Sequence, residues 1–83
     1  MVGFSHYLAT YLADKNIRSN VLCPGGIKTN QDLKFRKKLE QLIPLKRMAN
    51  IDDYDGIILY LCSDFSKYMT GSVISVDGGR TVW

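Results

Sequence analysis

One stretch of sequence decides the fold, and it reads Asn20-Val21-Leu22-Cys23-Pro24-Gly25-Gly26-Ile27-Lys28-Thr29. Its first half is apolar without alternation, which is typical of a strand covered on both faces of a parallel sheet. We therefore predict a strand over residues 17–23. The Pro-Gly-Gly that follows ends this strand, because proline cannot donate to the ladder and glycine permits unusual backbone angles.

The sequence on either side completes an α/β unit. A second strand is predicted over residues 73–76, closed by Asp77-Gly78-Gly79. Apolar spacing of three and four residues predicts helices over residues 2–15 and 33–43 and a third helix capped by Asn50. The first two have apolar faces formed by Phe4, Leu8, Tyr11 and Leu12 and by Phe35, Leu39, Leu42 and Ile43, and the third is predicted to bury Tyr54, Ile57, Ile58 and Leu61. Strands joined through helices pair in parallel, and two strands with open edges indicate the trailing part of a larger sheet.

Composition limits the class of protein. The chain has 83 residues, of which 46% are hydrophobic, and a formal net charge of +3. These values indicate one small globular unit and exclude a disordered chain. No apolar run approaches the roughly 20 residues of a membrane span, and no secretory leader is expected. Cys23 and Cys62 lie far apart without a CxxC motif, which argues against a metal cluster or disulfide scaffold and suggests a reducing, cytoplasmic interior.

Positive charge is concentrated in residues 28–47, which carry a net charge of +5. Such a patch could bind phosphates or nucleic acid. However, Lys34, Lys37 and Lys38 share the polar face of an amphipathic helix, and no aromatic side chains interleave with them. A solvated helix face is therefore the favoured interpretation, and we expect no nucleic-acid or membrane partner.

The glycines after the first strand are the strongest candidate site. Ligands in open α/β sheets bind at the carboxyl ends of strands, where glycine lets backbone groups approach a flat ligand and Thr29 adds a hydroxyl. Spacing alone nevertheless favours a simple turn here, and it favours a strand-ending turn at Asp77-Gly78-Gly79 as well. His6 stands alone, so we expect a surface histidine and no metal site.

Five segments, in order and with suitable spacing, resemble the C-terminal part of a short-chain dehydrogenase/reductase. They are residues 16–27, Pro44-Leu45-Lys46-Arg47-Met48, Leu61-Cys62-Ser63-Asp64, Tyr68-Met69-Thr70-Gly71 and Val76-Asp77-Gly78-Gly79. The resemblance covers essentially the whole chain. The Pro-Gly-Gly-Ile segment, the following Asn30-Gln31-Asp32 and residues 77–83 resemble members that act on carbohydrates, including oxidoreductases of flagellin-modification and nonulosonic-acid sugar pathways.

The resemblance implies a partial NAD(P)-binding Rossmann-type domain over residues 1–83, with its N-terminal part missing. It implies NAD(H) or NADP(H) as cofactor, because the family's Pro-Gly loop lies over the nicotinamide. The cofactor-binding residues that it implies are Pro24, Gly25, Gly26, Ile27 and Thr29. Residues 30–47 match a substrate-binding segment, so their positive charge could face an acidic or phosphorylated sugar.

The family's catalytic residues are not matched. Tyr11 and Lys15 fit a YxxxK pattern, but the family tyrosine precedes the Pro-Gly loop by about thirty residues. Tyr11 precedes Pro24 by only 13 residues, so we interpret the match as coincidental, predict no catalytic residue and expect the chain alone to be inactive. Two hypotheses stay open. The chain is part of an oxidoreductase for a hydroxyl or carbonyl group of a carbohydrate-like substrate, or it is a non-catalytic module that binds the missing part of the sheet or a second copy.

Overall fold

The chain is an α/β unit in which helices connect two parallel strands. The computed structural model describes all 83 residues. The helices and strands are α1 (Val2–Tyr11), β1 (Val21–Pro24), α2 (Leu33–Gln41), α3 (Asp55–Cys62) and β2 (Val73–Val76), with 3₁₀ turns at Ala13–Lys15, Ile51–Tyr54, Asp64–Ser66 and Arg80–Val82. Val21 lies opposite Val73 and Pro24 opposite Val76 in a two-stranded parallel sheet. The predicted fold class and parallel pairing are confirmed.

The first strand is shorter than predicted and lies further along the chain. We predicted residues 17–23, but pairing begins at Val21. Just before it, the Arg18 guanidinium donates to the carbonyls of Leu61 at 2.8 Å and Met69 at 3.1 Å. The Asn20 amide donates to the Met69 carbonyl and accepts from the N–H of Ser72. The Asn20 side chain thus occupies the Ser72 N–H that a longer ladder would use, so regular strand pairing starts only after Asn20.

The helix ends also differ from the prediction. The first helix ends at Tyr11, and the 3₁₀ turn after it ends at Lys15 and is capped by Asn16, whose left-handed φ of 57° an asparagine tolerates. The second ends at Gln41 rather than at residue 43. The predicted N-cap Asn50 starts a 3₁₀ turn, in which its N–H donates to the Asp53 carboxylate at 2.8 Å. None of the helices is long and apolar enough to cross a membrane.

The predicted buried faces are only partly correct. Helix α1 turns Ser5 and Ala9 inward, and the Ser5 hydroxyl lies 3.0 Å from that of Ser19. Phe4 and Tyr11 of the predicted apolar face are exposed. Ile43, just after α2, is buried, whereas Phe35 and Leu42 of the same predicted face are exposed. Tyr54 is buried as predicted, but Ile58, which we predicted to be buried beside it, is exposed. Periodicity detects an apolar face, but it does not tell whether that face finds a partner within the chain.

The core is small for a chain of this length. Only six residues are buried, namely Ser5, Ala9, Ile43, Met48, Tyr54 and Ser66. Large apolar side chains remain exposed on every helix. Leu59 on α3, for example, is 70% exposed. Two strands with open edges bury little apolar surface by themselves. Ile43, Met48 and Tyr54 form a buried group near the carboxyl ends of the strands, and Ser5 and Ala9 pack against Ser19 and Gly71, just before the two strands begin.

Candidate functional site

Residues 24–31, the β1 exit loop, leave the carboxyl end of β1 and run beside Ala49. The Gly26 carbonyl accepts from the Ala49 N–H, and the Lys28 N–H donates to the Ala49 carbonyl, both at 2.8 Å. These two bonds form a parallel bridge between Ile27 and Ala49. In such a bridge the residue between the two bonded groups turns its own N–H and C=O to the opposite side. The polar backbone groups of Ile27 therefore face away from Ala49.

The side of the β1 exit loop that faces away from Ala49, its outer edge, is organised by Gln31. The Gln31 side-chain amide makes both bonds. Its Nε2 donates to the Ile27 carbonyl at 3.0 Å, and its Oε1 accepts from the Thr29 N–H at 2.7 Å. The N–H of Ile27 and the hydroxyl of Thr29 have no hydrogen-bond partner within the chain. The outer edge consequently offers two free hydrogen-bond donors, the Ile27 N–H and the Thr29 hydroxyl, beside an Ile27 carbonyl and a Thr29 N–H that Gln31 already pairs.

The two glycines of the loop are explained by packing within the chain. A Cβ on Gly25 would lie 2.8 Å from the Asp77 Cα, and one on Gly26 would lie 3.0 Å from a methyl carbon of Leu39. The sequence interpretation placed a ligand against these glycines, but protein atoms occupy the space where their side chains would extend. Pro24 is exposed at the end of β1. The cofactor roles predicted for Pro24, Gly25 and Gly26 thus stay predictions, and the free donors belong to Ile27 and Thr29.

Tyr54 fastens the loop to both strands. Its hydroxyl donates to the Val76 carbonyl at 2.9 Å and accepts from the Gly25 N–H at 3.1 Å. The Gly25 N–H also reaches the Val76 carbonyl at 3.1 Å. The periodicity of the sequence predicts Tyr54 only as part of a buried apolar face. The role of Tyr54 in joining the strands could have been found from its chemistry, because a buried tyrosine hydroxyl needs a hydrogen-bond partner.

A cleft of about 150 Å³ lies between the strand ends and the connection from α2 to α3. Gly25 and Gly26 line it, whereas Ile27 and Thr29 do not. Arg47 and Asp53 in its lining form an ion pair with an N–O distance of 2.7 Å, whereas Asp77 adds a carboxylate that no basic side chain pairs with. The lining is therefore net negative, which disfavours the phosphates of an anionic cofactor, and the outer edge of the loop is the better candidate site.

The carboxylates near the strand ends are held in their charged form. The hydrogen bond from Arg47 lowers the pKa of Asp53, and the N–H of Asn50 adds to this. The same bond to Asp53 raises the pKa of Arg47. Hydrogen bonding from the Thr81 side chain lowers the pKa of Asp77. Because these groups stay ionised near neutral pH, they fix the turns around the strand ends rather than exchange protons.

The remaining candidate residues do not assemble a site. Tyr11 is exposed and stacks on Tyr7 with 5.6 Å between ring centroids, while Lys15 lies in the following 3₁₀ turn. The YxxxK pair therefore does not share one α-helical face. His6 is exposed on α1. No group of three or more His, Cys, Asp or Glu side chains converges anywhere in the chain.

The basic side chains of α2 follow the predicted pattern. Lys34, Lys37 and Lys38 are exposed and form no ion pair within the chain. Arg36 is half-buried, and its Nε is shielded from solvent without a hydrogen-bond partner. The helix, which follows the β1 exit loop in the sequence, thus has a positively charged face that is exposed to solvent.

Sequence comparison identifies relatives along almost the whole chain. A family model described as enoyl-(acyl carrier protein) reductase matches residues 1–81. The 3-oxoacyl-(acyl-carrier-protein) reductase FabG of Aquifex aeolicus is 35% identical over 95% of this chain and 34% of its own length. The dehydrogenase/reductase SDR family member 4 of Sus scrofa is 36% identical over 95% of this chain and 30% of its own length.

Solved structures agree with these relatives. A short-chain dehydrogenase from Leptospira borgpetersenii, solved with bound NAD⁺, superposes with a TM-score of 0.92 and 41% identity over 96% of this chain and 32% of its own. A short-chain type dehydrogenase/reductase from Mycobacterium marinum gives a TM-score of 0.87 and 42% identity over 96% of this chain and 33% of its own. The chain spans about a third of the length of the relatives that it matches. Fold, family model and relatives together establish that the chain belongs to the short-chain dehydrogenase/reductase family.

Proposed function

We propose that the chain is the C-terminal part of an NAD(P)-dependent oxidoreductase and that its β1 exit loop contacts the nicotinamide half of the cofactor. The observation that carries this proposal is the pair of free donors, the Ile27 N–H and the Thr29 hydroxyl, at the carboxyl end of a parallel strand. Open α/β sheets bind their ligands at that edge. A structural relative that is 41% identical binds NAD⁺, which supports the same class of ligand here.

The free donors suit the polar groups of a nicotinamide cofactor. In the proposal the Ile27 N–H donates to the carboxamide oxygen, and the Thr29 hydroxyl donates to the carboxamide or to a phosphate oxygen. Pro24, Gly25 and Gly26 shape the loop that carries these two donors. The cofactor, when bound, supplies hydride chemistry, and the protein supplies binding and orientation. The chain's own residues therefore hold one end of the cofactor in place.

The reaction proposed for the whole protein is oxidation of a hydroxyl group or reduction of a carbonyl group on a carbohydrate-like substrate. None of the relatives described above has a sugar in its name, so support for this substrate comes from the chain itself. The exposed lysines of α2 suit an acidic or phosphorylated sugar. Both cysteines are free, which suits the cytoplasmic location that we propose.

Proton transfer would require residues that this chain does not place together. Tyr11 and Lys15 do not share a helical face, and no other tyrosine–lysine pair has the family spacing in the sequence. We accordingly propose that the 83-residue chain binds cofactor weakly and does not turn over substrate. The measurement of interest is therefore binding rather than activity.

An NMR titration of the chain with NAD⁺ and with NADP⁺ tests the proposal. We expect amide shifts concentrated at residues 26–29, and we expect Thr29→Val to weaken binding by about five- to tenfold, the contribution of one hydrogen bond. Thr10→Val is the matched control, because the Thr10 hydroxyl bonds only to carbonyls of its own helix. Shifts confined to residues 34–38 would show attraction by charge alone and would contradict the proposed contact.

A second candidate function is a non-catalytic interaction module, and the exposed apolar surface favours it. Phe4 is 63% exposed and Phe65 is 87% exposed, although both are large apolar side chains. Such surface is normally covered by a partner. The expected cover is the remainder of a larger sheet or a second copy of the chain. Light scattering across a concentration series tests this, because a constant monomer mass would contradict self-association.

A further inference from the structure

Gln31 determines which hydrogen-bonding groups are free on the outer edge of the β1 exit loop. In an extended segment the Ile27 N–H and C=O lie on the same edge, so a ligand would meet a donor and an acceptor side by side. The Gln31 amide group pairs with that acceptor at 3.0 Å and with the Thr29 N–H at 2.7 Å. It leaves the Ile27 N–H and the Thr29 hydroxyl unpaired.

A primary amide is the side chain that can pair with both groups at once. The Ile27 carbonyl needs a donor and the Thr29 N–H needs an acceptor, and a glutamine amide carries one of each. Glutamate has the same length but only accepts when ionised, so it would leave the Ile27 carbonyl free and repel it. Methionine has a similar length and offers neither strong donor nor strong acceptor.

The two ends of the loop are held by different partners. Main-chain bonds to Ala49 hold Gly26 and Lys28, whereas only the Gln31 side chain holds the backbone of Thr29. A substitution at Gln31 can therefore release Thr29 while Lys28 stays fixed. This separation lets an experiment distinguish the local role of Gln31 from general unfolding.

We infer that Gln31 is a positioning residue that pairs the Ile27 carbonyl, so that the Ile27 backbone presents only its N–H at the outer edge of the β1 exit loop and thereby favours a ligand group that accepts a hydrogen bond, such as a carbonyl or phosphate oxygen. It does not touch the ligand itself. It acts by pairing the competing acceptor of Ile27 and by holding the backbone of Thr29. This inference rests on the proposed function, because the ligand that it orients is the nicotinamide cofactor.

Two variants and one control test the inference on the 83-residue chain. Gln31→Met removes both hydrogen bonds at similar side-chain length, and Gln31→Glu retains only the acceptor for Thr29. Asn30→Asp is the control, because it adds the same charge as Gln31→Glu at an exposed side chain that makes no hydrogen bond within the chain. The readouts are amide hydrogen exchange at Thr29, referenced to Lys28, and the dissociation constant for NAD⁺.

We expect Gln31→Met to speed exchange at Thr29 about five- to tenfold, without changing exchange at Lys28, and to weaken NAD⁺ binding by a similar factor. Gln31→Glu should keep the Thr29 amide protected yet weaken NAD⁺ binding. Asn30→Asp should change both readouts by less than about twofold, since isolated surface charges contribute little. This pattern would show that the hydrogen bond from the Gln31 side-chain N–H to the Ile27 carbonyl supports NAD⁺ binding, and that an added negative charge alone does not explain the loss of binding.

The inference would be overturned if Gln31→Met bound NAD⁺ as tightly as the wild-type chain, whatever its effect on Thr29. It would equally be overturned if the Thr29 amide exchanged freely in the wild-type chain. A wild-type chain that does not bind NAD⁺ would instead overturn the proposed function, and the ligand-orienting role of Gln31 would fall with it. The two failures are distinguishable by NAD⁺ binding of the wild-type chain, because that binding is absent when the proposed function fails and is retained when only the inference about Gln31 fails.

Discussion

The hydroxyl of Tyr54 accepts a hydrogen bond from the backbone N–H of Gly25, with 3.1 Å between the two heavy atoms. The same hydroxyl donates to the Val76 carbonyl at 2.9 Å, so one buried side chain joins the ends of β1 and β2. Tyr54 comes from the 3₁₀ turn that precedes α3. The start of the β1 exit loop is therefore held by a side chain from the connection between β1 and β2, and this contact needs no ligand.

Tyr54→Phe should lower the free energy of unfolding of the chain by about 1 kcal/mol, because a neutral hydrogen-bonding group is lost while the ring still fills its site. Urea unfolding followed by circular dichroism measures this. Tyr68→Phe is the matched control, since the Tyr68 side chain is fully exposed and makes no hydrogen bond. Equal effects of the two substitutions would show that the Tyr54 hydroxyl does not join the strands.

Gly25→Ala should destabilise the chain by about 1–3 kcal/mol, the usual cost of forcing a methyl group into a packed region. Its Cβ would lie 2.8 Å from the Asp77 Cα, which is backbone and cannot rotate away. Gly56→Ala provides the contrast, because a Cβ at that position in α3 meets nothing within 4 Å. There we expect unfolding free energy to stay unchanged or to rise by up to about 1 kcal/mol. A tolerated alanine at Gly25 would refute the close approach to Asp77.

Arg18→Met should lower the free energy of unfolding by about 2–3 kcal/mol, because charged hydrogen bonds to the Leu61 and Met69 carbonyls are lost together. Denaturant unfolding again provides the measurement. Arg80→Met removes an exposed guanidinium that makes no side-chain hydrogen bond, and its effect should be within about 0.5 kcal/mol. If both variants unfolded at the same urea concentration, the bonds of Arg18 would contribute nothing to the register of β1.

Lowering the pH should reduce the free energy of unfolding of the chain, because it protonates Asp53. Its pKa is lowered in the folded state by the hydrogen bond from Arg47, so its stabilising contribution is complete above the ordinary value of 3.8. That contribution is lost as the pH falls through 3.8 towards the lower folded pKa. Asp53→Asn should therefore be less stable than the wild-type chain at neutral pH, and its stability should fall less steeply between about pH 5 and pH 2.

The comparison for this pH series is Asp14→Asn, which removes an exposed carboxylate whose side chain makes no hydrogen bond within the chain. It should leave the acid dependence close to that of the wild-type chain. Asp77 also contributes, because its pKa is lowered by Thr81. Asp53→Asn should thus reduce the acid dependence without abolishing it, and an unchanged slope would contradict the role of the Arg47 pair.

The sequence predicted the elements that depend on local chemistry. The continuous apolar run before Pro24 predicted a parallel strand, and the helical spacing around Leu39 predicted α2. It misplaced the start of β1, because Arg18 and Asn20 bind backbone carbonyls from the other end of the chain. Such long-range side-chain bonds leave no periodic signal. The sequence also predicted that Ile58 is buried, although it is exposed, because periodicity cannot show whether a partner within the chain covers an apolar face.

In the candidate site, too, the sequence predicted the features with a local signal and not those that depend on contacts between distant residues. The sequence located the loop after β1 correctly at a strand's carboxyl end, since glycine and proline mark strand ends locally. It could not show that Gly25 packs on Asp77, or that Gln31 pairs with Ile27 and Thr29. Those contacts depend on the conformation of the loop. Only the structure therefore separates the two free donors from the paired groups beside them.

The measurement that tests the central claim most directly is the intermolecular nuclear Overhauser effect between NAD⁺ and the chain. It reports which end of the cofactor lies within a few ångströms of the β1 exit loop. We predict effects from the nicotinamide ring protons to the Ile27 amide and to the Thr29 methyl group, with none from the adenine protons. Effects from adenine alone, or none at either residue, would contradict the assignment of this loop to the nicotinamide half of the cofactor.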